Sequence, residues 1–251
     1  MARLSIRVLS TLIAAVLVAG CAASGVVPSD RAAVAGTTYT GRSVEYVNDG
    51  DTLQFYPAIS GSKSVRFLNI DAPEMDGDTQ EPWATRSRDH LRQLLPQRTK
   101  ITIETDVEAK DAYGRILGHV RREKDALNTN REQLRMGHAV TYVIWPNQAY
   151  FEDYRQAQIE AQQNSRNIWD PSHPLTELPF VYRCRINNCT LSKPVGDYFT
   201  KKYVDPADWG KVHVNNRIFF WSENDAHAAG YTKCPKDADG NYDQSCFAPG
   251  N

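Results

Sequence analysis

Three short clusters in this chain carry side chains that could do chemistry together. In Asp49-Gly50-Asp51-Thr52 two carboxylates flank a glycine, between a run that reads as one strand and a run that reads as the next. Asn-Asp-Gly is ordinary turn chemistry, but Asp51 comes after the turn, at the head of the returning strand. "VRFLNIDAPEM" sets Arg66 in a strand and Asp71-Ala72-Pro73-Glu74 at its exit, and "DAYGR", Asp111 to Arg115, is a tight turn entering a further strand. Two aspartates from different strands, a nearby glutamate and two arginines form the inventory for acting on a phosphodiester. A hard cation such as calcium takes oxygen ligands at roughly 2.3 to 2.6 Å, which Asp51, Asp71 and a backbone carbonyl supply. Two planar guanidinium forks then neutralise a phosphate that gains charge under attack. Glu74, kept off the metal, is placed to orient or deprotonate the attacking water.

The elements that must position these groups are legible from periodicity. Alternating apolar residues mark strands at 39–47, 52–58, 63–70, 99–106 and 115–122. Between the third and fourth, residues 82–95 put Trp83, Ala84, Leu91, Leu94 and Leu95 on one helical face, with Pro82 in the first turn and Pro96 at the end. Further helices are expected at 130–136 and 150–163, the latter with a stripe of Tyr150, Tyr154, Ala157 and Ala161 opposite a Gln- and Glu-rich face. Five strands with a helix between the third and fourth is the order of an OB-type barrel.

In order and approximate spacing, "DGDT", "VRFLNIDAPE", "DAYGR", "RMGHAVTYV" and "NIW" (167–169) resemble the thermonuclease, or staphylococcal nuclease-like, family over about residues 38–170. The resemblance implies Asp51, Asp71 and the carbonyl of Ala72 as calcium ligands, and Arg66, Glu74 and Arg115 as catalytic residues. Arg66 would hold the phosphate, Glu74 would act as base or water-orienter, and Arg115 would help the 5'-oxygen leave. Asp49 would bond metal-bound water, and Tyr113 and Tyr142 would pack on or bond the nucleotide. Two positions depart from the family: its lysine after the aspartate of the third motif is Ala112, and one pocket tyrosine is Ile144.

Charge tempers the expectation of tight binding. Residues 37–170 carry 17 Lys and Arg against 20 Asp and Glu, a net of −3, whereas a domain that grips nucleic acid through bulk charge is basic. Loose, salt-sensitive binding localised to the arginines and metal is expected, without sequence readout. His90, His119 and His138 show no ligand spacing and are read as core or surface residues, and Trp83 and Trp169 as packing residues.

The ends of the chain read differently. Arg3 and Arg7, a short apolar run and Val18-Ala19-Gly20-Cys21 resemble the signal and lipobox of bacterial lipoproteins, which makes Cys21 a lipid attachment site and residues 22–36 a small, polar tether. Ala22 and Ala23 carry no aspartate retention signal, so an outer-membrane anchorage in the cell envelope is expected, with plain secretion as the alternative. The other cysteines, Cys184, Cys189, Cys234 and Cys246, all lie beyond residue 180. In an exported chain two local disulfides are favoured over a four-cysteine zinc site, since no Cys-x-x-Cys occurs. Ser222, with Asp225 three places on and Gly230 after it, predicts a short capped helix.

The expected organisation is therefore a signal (1–20), a tether (21–36), a barrel domain (37–170) and a small cysteine-containing unit (171–251). The fold class is α+β: a five-stranded OB-type barrel with three helices, plus a small α+β disulfide-containing unit. The resemblance implies a monomeric, calcium-dependent, sugar-non-specific endonuclease acting on DNA and RNA, preferably single-stranded, and leaving 3'-phosphate ends. The alternative is a catalytically weak barrel that binds nucleic acid or an envelope partner.

Overall fold

A computed structural model describes residues 36–75 and 82–250. The signal, Cys21 and the tether lie outside the described residues, as does most of the acidic loop after Glu74. Strands β1 (Thr38–Val47), β2 (Thr52–Ile59) and β3 (Ser62–Phe67) form an antiparallel meander. A short β4 (Ile70–Asp71) leaves it, α1 (Ala84–Leu94) crosses, and β5 (Lys100–Glu104) and β6 (Ile116–Arg122) return. β3 then runs parallel to β6 through Val65–Ile116, Arg66–Leu117 and Phe67–Gly118, which closes the sheet order β3-β2-β1-β5-β6 into a barrel. Closure removes the sheet edges, and the alternating apolar residues point inward. Leu53, Phe55, Val65, Ile101, Ile103 and Val120 are wholly buried there. Gly118 has no room for a side chain, since a Cβ would stand 2.6 Å from Ile103 Cγ2.

Beyond the barrel, β7 (Leu127–Asn128) leads into α2 (Thr129–Arg135), whose first turn is capped by Asn128 accepting from the Arg131 amide. An extended segment follows as β8 (Val140–Thr141) and β9 (Val143–Ile144), then α3 (Phe151–Gln163). The C-terminal residues add α4 (Pro179–Ile186), β10 (Val195–Asp197), β11 (Lys202–Val204), β12 (Arg217–Phe219), α5 (Glu223–Ala228) and β13 (Thr232–Lys233). The Ser222 hydroxyl caps α5 by accepting from Asp225 N. Disulfides join Cys184 to Cys189 and Cys234 to Cys246.

The segment 140–144 serves two sheets. β8 pairs antiparallel with β4, setting Val140 opposite Asp71, while β9 pairs parallel with β12 through Val143–Ile218 and Ile144–Phe219. The C-terminal strands are thus hydrogen-bonded to the segment that also holds Asp71, and Tyr142 lies between the two pairings.

α3 differs from its sequence pattern. Tyr154, Ala157 and Ala161 are buried as expected, but so are Arg155 and Gln158 on the face that reads as solvent-exposed. The C-terminal unit covers that face: Gln158 Nε2 donates to Asn215 Oδ1 at 2.6 Å, and Arg155 Nε donates to Asn216 Oδ1 at 3.3 Å. A polar helix face is compatible with burial when its partners are themselves polar.

Candidate active site

The turn between β1 and β2 is built by its own carboxylate. Asp49 Oδ1 accepts from the Asp51 amide at 2.9 Å, and the Asn48 amide donates to the Thr52 carbonyl. Gly50 is needed for space rather than for a left-handed backbone, because a Cβ would come within 1.9 Å of Ser87 Oγ and 2.6 Å of the Ala72 methyl. The close approach lets Asp51 Oδ2 accept from the Ala72 amide at 2.7 Å, and this bond ties the turn to the exit of β4.

Arg66 stands opposite Thr52 across β2 and β3. Its Nη1 lies 3.1 Å from Asp51 Oδ2 and also donates to the carbonyls of Phe67 and Ile70, while Nη2 donates to Asp71 Oδ1 at 2.7 Å. The sequence-predicted pair Asp51 and Asp71 is therefore brought together around one guanidinium. Both are nearly or wholly buried, and Ala72 is buried beside them. Burial and the neighbouring Asp51 push the Asp49 carboxyl up to about 8. Burial, with Asp51 and Asp71 adding to it, pushes Glu74 up to about 7 against the opposing pull of Arg183.

Arg183 is the site residue that sequence reasoning missed. It projects from α4 of the C-terminal unit and grips Asp71 with both arms of its fork, Nη1 to Oδ1 at 2.6 Å and Nη2 to Oδ2 at 3.0 Å. The same Nη1 also donates to Glu74 Oε1. Its one sequence signal is adjacency to Cys184, whose disulfide closes the end of α4.

The remaining predicted residues line the same cleft without joining that cluster. Arg115 is held by Asp111, which accepts from its Nε at 2.7 Å and from its amide at 2.9 Å, and its guanidinium lies 5.5 Å from the centre of the exposed Tyr113 ring. Tyr142 is half-buried, stacked on Phe180 of α4 with 5.4 Å between ring centres, so one of its faces is taken by the protein itself. The cleft has a volume of about 580 Å³ and is bounded by Asp51, Arg66, Glu74, Tyr113, Arg115 and Arg183 among others. Among the described residues no helix is long and apolar enough to cross a membrane.

The donor set is oxygen-only and acid-rich. Asp49, Asp51, Asp71 and Glu74 are four carboxylates in mutual electrostatic contact, and the guanidiniums of Arg66 and Arg183 offset two of them. With all four ionised the cluster would carry a surplus of two negative charges, which a hard divalent cation would offset. Burial first, and the crowding of these carboxylates after it, push the Asp49 and Glu74 carboxyls upward.

The family described as Staphylococcal nuclease homologue matches residues 64–171. Endonuclease YhcR of Bacillus subtilis (strain 168) is 40% identical over 199 residues, which cover 76% of this chain and 16% of that protein. Such a share is more than residues 1–170 could supply, so the similarity extends into the C-terminal unit. Thermonuclease of Staphylococcus hyicus is 30% identical over 125 residues, 49% of this chain and 72% of its own length. An uncharacterized endonuclease of Haemophilus influenzae is 30% identical over 143 residues, 56% of this chain and 72% of its own length.

Proposed function

The chain belongs to the staphylococcal nuclease family, and we propose that it is an endonuclease that hydrolyses DNA and RNA phosphodiesters with calcium and leaves 3'-phosphate ends. One observation carries the reading: Asp51 from the turn before β2, Arg66 from β3 and Asp71 from β4 converge in a single buried ion cluster beside Glu74.

Asp51, Asp71 and the Ala72 carbonyl would hold the cation, which supplies charge neutralisation to a phosphate oxygen. Arg66, only 14% exposed and pinned by two carboxylates and two carbonyls, binds the phosphate in one orientation. Glu74 takes the proton of the attacking water; a carboxyl near neutrality suits a group that must accept a proton and release it again. Arg183 positions Glu74 through Nη1. Arg115, oriented by Asp111, neutralises charge on the departing 5'-oxygen. Tyr113 and Tyr142 contact the nucleotide, and Asp49 orients the turn that carries Asp51.

The protein acts outside the cytoplasm, as a monomer held at the cell envelope by lipid on Cys21. The two disulfides of the C-terminal unit support an oxidising compartment. The test is to incubate the purified protein with single-stranded DNA in calcium, then with chelator, then as Arg115→Ala. Calcium-dependent cleavage that falls sharply with the substitution is expected. Cleavage that survives the chelator, or is untouched by Arg115→Ala, overturns the mechanism.

A further inference from the structure

The cleft continues past the reacting groups onto a wall made by the C-terminal unit, where Arg183 is joined by Lys193 and Trp221. Ala112, in the turn before β6, and Ile144, in β9, also line the cleft and offer neither a ring face nor a charge. An aromatic ring with a cation upon it lines the same cleft: Lys193 Nζ lies 4.3 Å from the centre of the Trp221 ring.

Both residues are held in register by one sheet. Trp221 follows β12 by two residues, Lys193 precedes β10 by two, and the two strands pair antiparallel through Val195–Phe219. Phe219 and Phe220 are buried beneath, yet Trp221 is 56% exposed. An indole left this open beside a charged cleft is a contact surface rather than a core residue. Lys193 forms no ion pair among the described residues, and burial together with the nearby Arg183 draws its ammonium downward, so it gains from an incoming anion.

We infer that Trp221 and Lys193 form a nucleotide subsite in which an unpaired base stacks on the indole and the ammonium meets the adjoining phosphate, next to the phosphate held by Arg66. This rests on the nucleic-acid reading of the site and deepens it. Stacking on a ring face is open to every base, so the subsite adds affinity without sequence preference. A base inside a duplex has both faces occupied by its neighbours, so only single-stranded or locally opened substrate gains the contact. The C-terminal unit thereby sets the preference for single strands, while the barrel performs the hydrolysis.

The experiment measures binding of a fluorescein-labelled oligothymidylate with phosphorothioate links, by anisotropy in calcium, and KM for unmodified single-stranded DNA. The full chain is compared with Trp221→Ala, Trp221→Phe and Lys193→Ala. Trp221→Ala is expected to weaken binding and raise KM about 5- to 100-fold, with kcat changed little. Trp221→Phe keeps most of the affinity, and Lys193→Ala lowers the salt slope of log Kd by about 0.7. Binding and KM unchanged in Trp221→Ala overturn the subsite; should that variant fail to fold, an unchanged salt slope in Lys193→Ala overturns it. A wild-type protein that binds through Trp221 without cleaving sinks the hydrolase reading and keeps the subsite. One that cleaves, with a KM indifferent to Trp221, does the reverse.

Discussion

Glu74 and Arg183 make a separable pair of tests, because one is assigned to touch the reacting water and the other acts through it. Glu74→Gln keeps the size and one acceptor oxygen but removes the base. The expected result is a fall in kcat of about 10²- to 10⁴-fold with KM close to wild type, read from steady-state cleavage of single-stranded DNA. Arg183→Ala takes the bidentate fork from Asp71, which keeps its bond to Arg66, and removes the Nη1 contact from Glu74. Its kcat is expected to fall about 10- to 100-fold, and Arg183→Lys, which returns the charge without the fork, recovers only part of the loss. An Arg183→Ala enzyme with unchanged kcat removes Arg183 from the mechanism. Asp51→Ala is the severest of the residue changes: it strips a partner from Arg66, from the Ala72 amide and from the proposed cation at once. Loss of calcium-dependent cleavage is expected, with the far-UV spectrum retained because the barrel core does not depend on it.

At the scale of elements, α4 is the part whose stability bears most directly on the site, since it carries Arg183 and the stacked Phe180. Its end is closed by Cys184–Cys189, a short loop worth roughly 2 kcal/mol in the chain-entropy account. Serine at both positions is expected to cost about that much and to lower kcat in the manner of Arg183→Ala, whereas serines at Cys234 and Cys246 lower the melting temperature with a smaller effect on turnover. Equal loss of turnover from the two replacements contradicts the link from α4 to the site. The barrel elements were legible in sequence because each buries one face, so that strands alternate and α1 carries its stripe. Asp51, Asp71, Arg66 and Glu74 were legible for a related reason: each sits at a strand end or turn bounded by recognisable punctuation. Arg183, Lys193 and Trp221 were not, because α4 is short, "PFVYRCRI" has no clear helical stripe, and what brings it to the barrel is a two-residue pairing of β9 with β12. Such contacts depend on long-range register, which no local pattern encodes. The buried polar face of α3 was hidden likewise: Gln158 and Arg155 look solvated until Asn215 and Asn216 arrive from sixty residues away.

For the whole molecule, acid stability follows from His119, which is fully buried against α3. Its Nδ1 lies 2.8 Å from the Tyr154 hydroxyl, which itself donates to Asn128 Oδ1; Nδ1 therefore carries the proton, and Nε2 is buried with no hydrogen-bond partner among the described residues. Tyr150 stands edge-on to the ring, Arg121 is two residues along the same strand, and Glu104 is the backbone partner across β5. Burial first, and Arg121 second, push this imidazole down to about 3 from its ordinary 6.5. Between those values the unfolded chain binds a proton that the native state refuses, so unfolding becomes easier by about 1.4 kcal/mol for each pH unit below 6.5 and is indifferent above it. Asp49 and Glu74, raised to about 8 and about 7, act with the opposite sign, since the native state holds their protons more tightly than the unfolded chain over the same range. The wild-type profile is thus a sum in which the terms partly cancel, and the informative quantity is a difference. In urea titrations at pH 7 and pH 5, His119→Gln, whose amide still donates to Tyr154, is expected to lose roughly 2 kcal/mol less than wild type over that interval. Parallel losses in the two proteins would show that the histidine takes up its proton in the folded barrel.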